Sequence, residues 1–135
     1  MTVRLVSCSC GQLQAEVRGD PIDVSDCHSY ACQRRTGSVF SAQALFPRES
    51  VAVKGNGTEF VRVGDEGARF KFTFCPECGS TVFYVEEGDE QQIAIPVGAF
   101  ANSHFPAPTV SVYEKRRHSW VSLPENVEHW RKAPV

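Results

Sequence analysis

The stretch FCPECGS at residues 74–80 constrains this chain more than any other, because it places two thiols three positions apart. Cys75 is followed by a proline, which restricts the backbone, and Cys78 by a glycine, which permits a turn whose N–H groups face the sulfurs. A metal knuckle, a redox dithiol and half of a disulfide framework all use such a pair. The rest of the sequence discriminates between these three chemistries.

The disulfide framework is the least favoured of the three. The N-terminal sequence MTVRLVSCSCGQ reaches cysteines before it could form the apolar stretch of a signal peptide. We therefore expect a cytoplasmic protein, and the cytosol keeps most thiols reduced. Short apolar runs predict no transmembrane helix. A net charge of −2 lacks the basic excess that is typical of proteins bound to nucleic acid or anionic membranes. We expect neither as a partner.

Alternation of apolar and polar residues dominates the chain and indicates short β-strands separated by glycine and proline turns. Predicted strands cover residues 3–6, 12–18, 40–46, 50–54, 59–63, 69–74, 81–85 and 91–95. Two segments are predicted to be helical, namely 31–36, closed by Gly37, and 125–132 after Pro124. The chain has 135 residues, which is enough for one modest core, so we predict a single, mainly β domain over residues 1–135.

A second cysteine pair, in CSCG, ends the first predicted strand, as CPECG ends the phenylalanine-rich strand. Zinc in structural sites takes four ligands in a tetrahedron, and two turns with two thiols each supply that number. A thioredoxin-type redox motif would instead open a helix, whereas residues 79–84 continue as a strand. The spacing predicts one structural Zn²⁺ bound by Cys8, Cys10, Cys75 and Cys78.

The remaining thiols lie in DCHSYACQRRTG at residues 26–37. Arg34 and Arg35 follow Cys32 directly, which suggests that they bind substrate carboxylates in bidentate pairs or lower the pKa of that thiol. The alternative is a solvated turn with two surface arginines. The three phenylalanines of residues 70–74 are predicted to be core residues.

Three motifs occur in a specific order, CSCG, CH followed by C and RRTG, and F·F·FC··CGS. In this order they resemble the family of glutathione-dependent formaldehyde-activating enzymes, which includes centromere protein V-like proteins. The resemblance implies a β-tent fold, two antiparallel sheets pinned by a structural zinc on the four cysteines already named. It also implies a second, catalytic zinc on a CxCxxC motif. The corresponding positions here are Cys27, Ser29 and Cys32, so the chain departs from the pattern at the middle ligand.

The resemblance implies a carbon–sulfur lyase that acts on a small thiol–aldehyde adduct of the S-hydroxymethylglutathione kind, with Cys27, Cys32 and Ser29 as its catalytic positions. Ser29 weakens the second metal site, because a hydroxyl is neutral at pH 7 and a poor zinc ligand. The site is either lost, completed by a histidine or substrate, or replaced by a metal-free thiol pair. His28 is expected to point away from Cys27 in an extended segment.

Two other functions remain open at this stage. In one, the protein is a zinc-stapled binding or scaffold module whose second metal site is degenerate. In the other, Cys27 and Cys32 cycle between thiols and a disulfide as a redox sensor. The sequence leaves the identity of the thiol and aldehyde, and the oligomeric state, undetermined.

Overall fold

The computed structural model describes residues 1–133, and this range contains eleven β-strands and one α-helix. The helix, α1, covers Tyr30–Thr36. The strands are β1 Val3–Ser7, β2 Gln14–Arg18, β3 Asp23–Cys27, β4 Ser41–Pro47, β5 Val51–Lys54, β6 Thr58–Val63, β7 Arg69–Phe74, β8 Thr81–Glu86, β9 Gln92–Pro96, β10 Val110–Val112 and β11 Glu128–His129. Short 3-10 helices cover Arg48–Ser50, Val97–Phe100 and Glu114–Arg116.

The strands form two sheets. The small sheet has the order β1-β2-β5 and is antiparallel, and the large sheet has the order β11-β10-β3-β4-β9-β8-β7-β6. In the large sheet β10 pairs in parallel with both β3 and β11, while the other pairs are antiparallel. The predicted mainly β fold with two sheets is therefore confirmed, with a parallel edge that the sequence did not indicate.

The hydrophobic core joins one face of the large sheet to the small sheet. Phe46 of β4 and Ile95 of β9 are fully buried in the same cluster as Val6 and Val17 of the small sheet. Each such side chain contributes roughly 1.5–3 kcal/mol through burial. The opposite face of β3 and β4 carries polar residues, and this face is free to form a site.

The predicted strands are all present to within about two residues, but β3, β10 and β11 were missed. The sequence of β3, DVSDC, lacks the apolar content of a typical buried strand. The strand is nevertheless partly buried, and even the side chain of Asp26 is only 3% exposed. Its place in the sheet comes from pairing with β4 and β10, which a local pattern does not report.

The predicted helix over residues 125–132 is wrong. Asn126 has a left-handed backbone with φ of 67°, and Glu128–His129 forms the edge strand β11. Backbone N–H groups there bond to the neighbouring strand β10, for example Trp130 to the carbonyl of Ser111 at 2.8 Å. Tertiary pairing overrides the weak helical spacing of Val127 and Trp130.

The predicted helix over residues 31–36 is confirmed, and it begins one residue earlier. Ser29 is its N-cap and Gly37 ends it with φ of 71°, donating its N–H to the carbonyl of Gln33 at 2.8 Å. Such a left-handed C-terminal residue favours glycine. Among residues 1–133 no helix has the length and apolar character needed to cross a membrane.

Candidate metal centre and thiol-lined cavity

The four predicted metal-ligating cysteines converge into one cluster. The Sγ atoms of Cys8, Cys10, Cys75 and Cys78 all lie within 4.8 Å of one another. Two of the sulfur–sulfur distances, Cys8–Cys10 and Cys10–Cys75, are 3.7 Å. A tetrahedron with metal–sulfur bonds near 2.3 Å has sulfur–sulfur edges of about 3.8 Å. The donor set and its spacing therefore fit a tetrahedral, thiophilic metal ion.

Both cysteine turns are closed by backbone hydrogen bonds. The N–H of Cys8 donates to the carbonyl of Leu13 at 2.9 Å, and that of Cys75 to Ser80 at 2.9 Å. Gly79 follows the second pair with φ of 81°. In the first turn the N–H of Leu13 reaches Cys8 Sγ at 3.3 Å. Such N–H groups stabilise a deprotonated thiolate, the form that binds metal.

Two further contacts hold the turns together. The hydroxyls of Ser9 and Ser80 are 2.9 Å apart. The amide of Gln12 donates to Cys75 Sγ at 2.9 Å and to the carbonyl of Asn56 at 2.7 Å, while its oxygen accepts from Asn56 N–H at 3.1 Å. Residues that orient metal ligands in this way tune affinity. Gln12 is such a residue, and the sequence analysis did not identify it.

A cavity of about 490 Å³ lies on the face of the large sheet that is opposite the core. Cys27, Ser29 and Cys32 stand on its wall, where β3 leads into α1. Tyr84 of β8 and Phe70 of β7 provide aromatic surface. The three predicted catalytic positions therefore lie together in a concave site, about the size of a small-molecule pocket.

The three side chains are buried and mutually bonded. Cys32 is 5% exposed and Ser29 is 7% exposed. The Ser29 hydroxyl accepts a hydrogen bond from the Cys32 N–H at 3.1 Å, and Cys27 Sγ donates to the same oxygen at 3.5 Å. Ser29 thus acts as the helix N-cap, and its oxygen is already engaged by two donors.

The residues present do not supply the donor set of the second zinc. Within residues 1–133 the four-cysteine cluster is the one group of three or more metal-ligating side chains. His28 is fully buried and bonds Ser111 Oγ at 3.0 Å through Nε2. This contact agrees with the prediction that the His28 side chain points away from Cys27. His118 bonds Gln33, and His104 is exposed.

The pKa values of the two cavity thiols are shifted in opposite directions. A hydrogen bond from Cys27, with further ones from Ser29 and Ser41, holds the pKa of Cys32 well below its usual range against the effect of burial. The positive charge of Arg62 acts in the same direction. The hydrogen bond to Cys32 and burial raise the pKa of Cys27 in turn. Of the two thiols, Cys32 is therefore the more readily deprotonated.

The arginines lie in different environments. Arg34 is exposed, whereas the Arg35 guanidinium lies over the rings of Phe72, at 5.1 Å, and Tyr84, at 5.7 Å. Arg62 of β6 lies over Phe72 at 4.7 Å and places Nη2 4.0 Å from Cys32 Sγ. Substrate binding by Arg34 and Arg35 stays a prediction.

Arg62 was missed by the sequence analysis. The signal that could have found it is the short turn between the predicted strands 59–63 and 69–74, which pairs them as a hairpin with Arg62 opposite Phe70. The prediction that the three phenylalanines of β7 are core residues also needs correction, because they lie outside the main core cluster. Phe72 is 4% exposed but carries both guanidinium groups, and Phe70 lines the cavity.

The fold and the site together define a two-sheet β protein in which a four-cysteine cluster joins two turns and a separate pair of buried thiols faces a cavity. The family model of the glutathione-dependent formaldehyde-activating enzymes matches residues 3–116. The chain therefore belongs to this family, and the resemblance stated from the motifs is confirmed.

A solved structure supports the fold. The chain is similar to the crystal structure of a Rhodobacter sphaeroides protein, with a TM-score of 0.55 and 18% sequence identity. The match covers 93% of this chain and 98% of that one. At this identity the similarity concerns the fold alone. No curated protein sequence matches the chain at a significant level.

Proposed function

We propose that Cys8, Cys10, Cys75 and Cys78 hold one structural Zn²⁺. The proposal rests on the complete set of four thiol ligands, on sulfur–sulfur distances of 3.7 Å, and on the N–H groups directed at the sulfurs. A closed site of this kind leaves no position for substrate. The metal would contribute folding free energy by joining the β1–β2 turn to the β7–β8 turn, which are far apart in sequence.

We further propose that the protein is a carbon–sulfur lyase-type enzyme that acts on a thiol–aldehyde adduct, glutathione-derived or similar. The observation that carries this proposal is the position of Cys27 and Cys32 as adjacent buried thiols in the wall of a cavity of about 490 Å³. Membership of the glutathione-dependent formaldehyde-activating enzyme family supports a reaction between a thiol and an aldehyde. Glutathione and reduced thiols are abundant in the cytoplasm, where we propose that this protein acts as a single domain over residues 1–135.

The two thiols suffice for the proton transfers of such a reaction. In the cleavage direction the Cys32 thiolate takes the proton of the adduct's hydroxyl, the carbonyl forms, and the carbon–sulfur bond breaks with its electron pair going to sulfur. Cys27 then gives its proton to the departing sulfur. A proton that passes from Cys32 to Cys27 then restores the starting state.

Ser29 acts by positioning rather than by reacting. Its hydroxyl accepts from the Cys27 thiol and from the Cys32 backbone N–H, so it fixes the first turn of α1 next to Cys27. Arg35 and Arg62 surround the same end of the site and favour negative charge there. Arg34 is exposed and would reach only a group at the mouth of the cavity.

The test is exchange between free glutathione plus formaldehyde and their adduct, measured by magnetization-transfer NMR. Wild type should accelerate exchange, and Cys32→Ser should lose at least about a hundredfold of that acceleration while keeping its metal and its fold. Ser38→Ala, an exposed position just after the same helix, is the matched control. A Cys32→Ser protein as fast as wild type would remove the proposal.

The second candidate is a zinc-stapled binding module without chemistry. It is favoured by one observation, namely that Ser29 caps a helix where the family pattern has a metal ligand. The same experiment separates the two candidates. A folded wild-type protein with one metal ion per chain and no effect on exchange would support the binding module.

A further inference from the structure

Arg35 and Arg62 both place their guanidinium groups over the ring of Phe72. Their Cζ atoms lie 5.1 Å and 4.7 Å from the centre of Phe72. The two arginines come from different elements, α1 and β6, so the fold and not local sequence brings them together. Stacking on the ring fixes each guanidinium plane, and Arg62 itself lines the cavity.

Three N–H positions of these two arginines have no partner in the protein. Among residues 1–133, Arg35 Nε, Arg62 Nε and Arg62 Nη1 are buried atoms that bond no other atom. Buried donors are normally paired, and a charged donor without a partner is costly. The aromatic cluster therefore holds a set of donors that an anionic ligand would satisfy.

The carboxylates near the cavity do not occupy this position. The acidic lining residues lie at the start of β3, at the end of β8 and in the turns that follow β6 and β8. They are Asp23, Asp65, Glu66, Glu86 and Asp89. No ion pair within 4.0 Å joins any of them to Arg35 or Arg62 in the described part of the chain. No carboxylate therefore neutralises these two arginines, and the contact of Arg62 Nη2 with Cys32 Sγ places its charge beside the thiol.

The distance to the thiol limits the size of that ligand. Arg62 Nη2 lies 4.0 Å from Cys32 Sγ. A ligand that binds Arg62 through an anionic group and reacts with this sulfur therefore has its anionic group and its reacting carbon about one carbon–carbon bond apart. Formaldehyde has no such group. An aldehyde whose carbonyl carbon carries a carboxylate fits both the thiol and the arginine.

We propose that Arg62 and Arg35 form an anion subsite beside Cys32, and that the aldehyde part of the adduct carries a carboxylate, as in glyoxylate. The subsite is an inference about ligand binding alone. The substrate class rests additionally on the proposed lyase-type function. The two can fail separately, so the primary test does not depend on turnover.

The primary test compares alkylation of Cys32 by iodoacetate and by iodoacetamide, which differ mainly in charge. Rate constants are measured on the native, metal-loaded protein by peptide mass spectrometry, with N-acetylcysteine as the reference thiol. The subsite predicts an iodoacetate-to-iodoacetamide ratio about tenfold above that of the reference. Arg62→Gln should abolish the excess, and Arg69→Gln, which removes an exposed arginine from the neighbouring strand β7, should preserve it.

The ratio cancels any general change in thiol reactivity, because that change affects both reagents. A wild-type ratio at or below the reference, or a ratio that Arg62→Gln leaves unchanged, would overturn the subsite. If neither reagent reaches Cys32, glyoxylate is titrated while the Nε–Hε NMR signal of Arg62 is followed. A saturable shift that is lost in Arg35→Gln supports the subsite, and its absence overturns it.

The substrate class has its own readout. Wild type should accelerate formation of the glutathione–glyoxylate adduct more than that of the formaldehyde adduct, and Arg62→Lys should raise the KM for glyoxylate about tenfold with a smaller effect on formaldehyde. An iodoacetate-to-iodoacetamide ratio above the reference, with no turnover of either aldehyde, would keep the subsite and remove the proposed function. Turnover of formaldehyde alone would remove the carboxylate-bearing substrate.

Discussion

The hydroxyl of Ser29 accepts a hydrogen bond from the backbone N–H of Cys32 at 3.1 Å, in the first turn of α1. The same oxygen accepts from Cys27 Sγ at 3.5 Å. One side chain therefore caps the helix and fixes the positions of both cavity thiols. This explains how the chain keeps an ordered thiol site although a ligand of the family pattern is absent.

Replacing Ser29 by alanine should lower the free energy of unfolding by about 1 kcal/mol, the typical cost of a lost N-cap bond. Urea titration followed by circular dichroism measures the change. Ser38→Ala, at an exposed serine beyond the end of α1, should change stability by less than about 0.5 kcal/mol. Equal losses in the two variants would contradict the capping role.

Replacing Ser29 by cysteine should create a second metal site. The new thiol would complete the set with Cys27 and Cys32, and we expect zinc content to rise by about one ion per chain. Cobalt substitution should then show added thiolate-to-metal absorption. Ser38→Cys controls for a thiol that merely binds metal adventitiously. A metal content unchanged from wild type would show that the middle ligand alone does not determine this site.

Loss of the metal from the four-cysteine cluster should unfold the protein readily. Cys75→Ser removes a buried ligand, so we expect the Tm to fall by more than about 10 °C and the metal to be lost. Cys27→Ser, which removes a buried cysteine outside the cluster, should keep one metal ion per chain. Elemental analysis and differential scanning calorimetry give both quantities. Retained metal in Cys75→Ser would contradict the assignment of the ligands.

Replacing Gln12 by alanine should weaken metal binding about tenfold without preventing it. The amide that donates to Cys75 Sγ at 2.9 Å would be lost, together with the bonds that hold Asn56 in place. Competition with a chromophoric zinc chelator measures the affinity. The exposed Gln91→Ala is the control. Identical affinities in the two variants would mean that the contact to sulfur has no effect on the metal.

The stability of the C-terminal part should depend on pH through Glu114. Burial alone would raise its pKa, but hydrogen bonds from Ser111 and His129, and the charges of His129 and Arg117, hold the pKa below the usual range. His129 Nδ1 lies 2.6 Å from Glu114 Oε2, and Arg117 Nη1 lies 3.9 Å from Oε1. Because the folded-state pKa is depressed, Glu114 stabilises the protein above its unfolded pKa, near 4.5, and this contribution is lost as pH falls through the folded pKa.

Glu114→Gln removes this dependence. We expect the variant to be less stable than wild type by about 0.5–1 kcal/mol at pH 6 and equally stable near pH 3. Urea unfolding at several pH values measures the difference between the two proteins. Glu125→Gln, at an exposed glutamate of the same region, should show no such trend. A stability difference that does not shrink on acidification would contradict the assignment.

Much of the fold was predictable from the sequence, because alternation and turn residues are local signals. The hairpin of β6 and β7 and the helix capped by Ser29 and Gly37 follow from neighbours in the chain. Where the structure differs, the cause is pairing at a distance. The polar strand β3 is held by β4 and β10, and residues 128–129 form a strand because β10 offers them a partner.

The sequence by itself determined the four-cysteine cluster, since two thiol pairs in glycine-containing turns and the four-ligand rule for zinc leave little freedom. It also located Cys27, Ser29 and Cys32 as one group. Only the tertiary structure decided that Ser29 is a helix cap, that Arg62 reaches Cys32, and that Arg35 and Arg62 share the ring of Phe72. These contacts join residues up to tens of positions apart in the sequence. Their geometry depends on how the large sheet places the strands β6, β7 and β8 relative to α1.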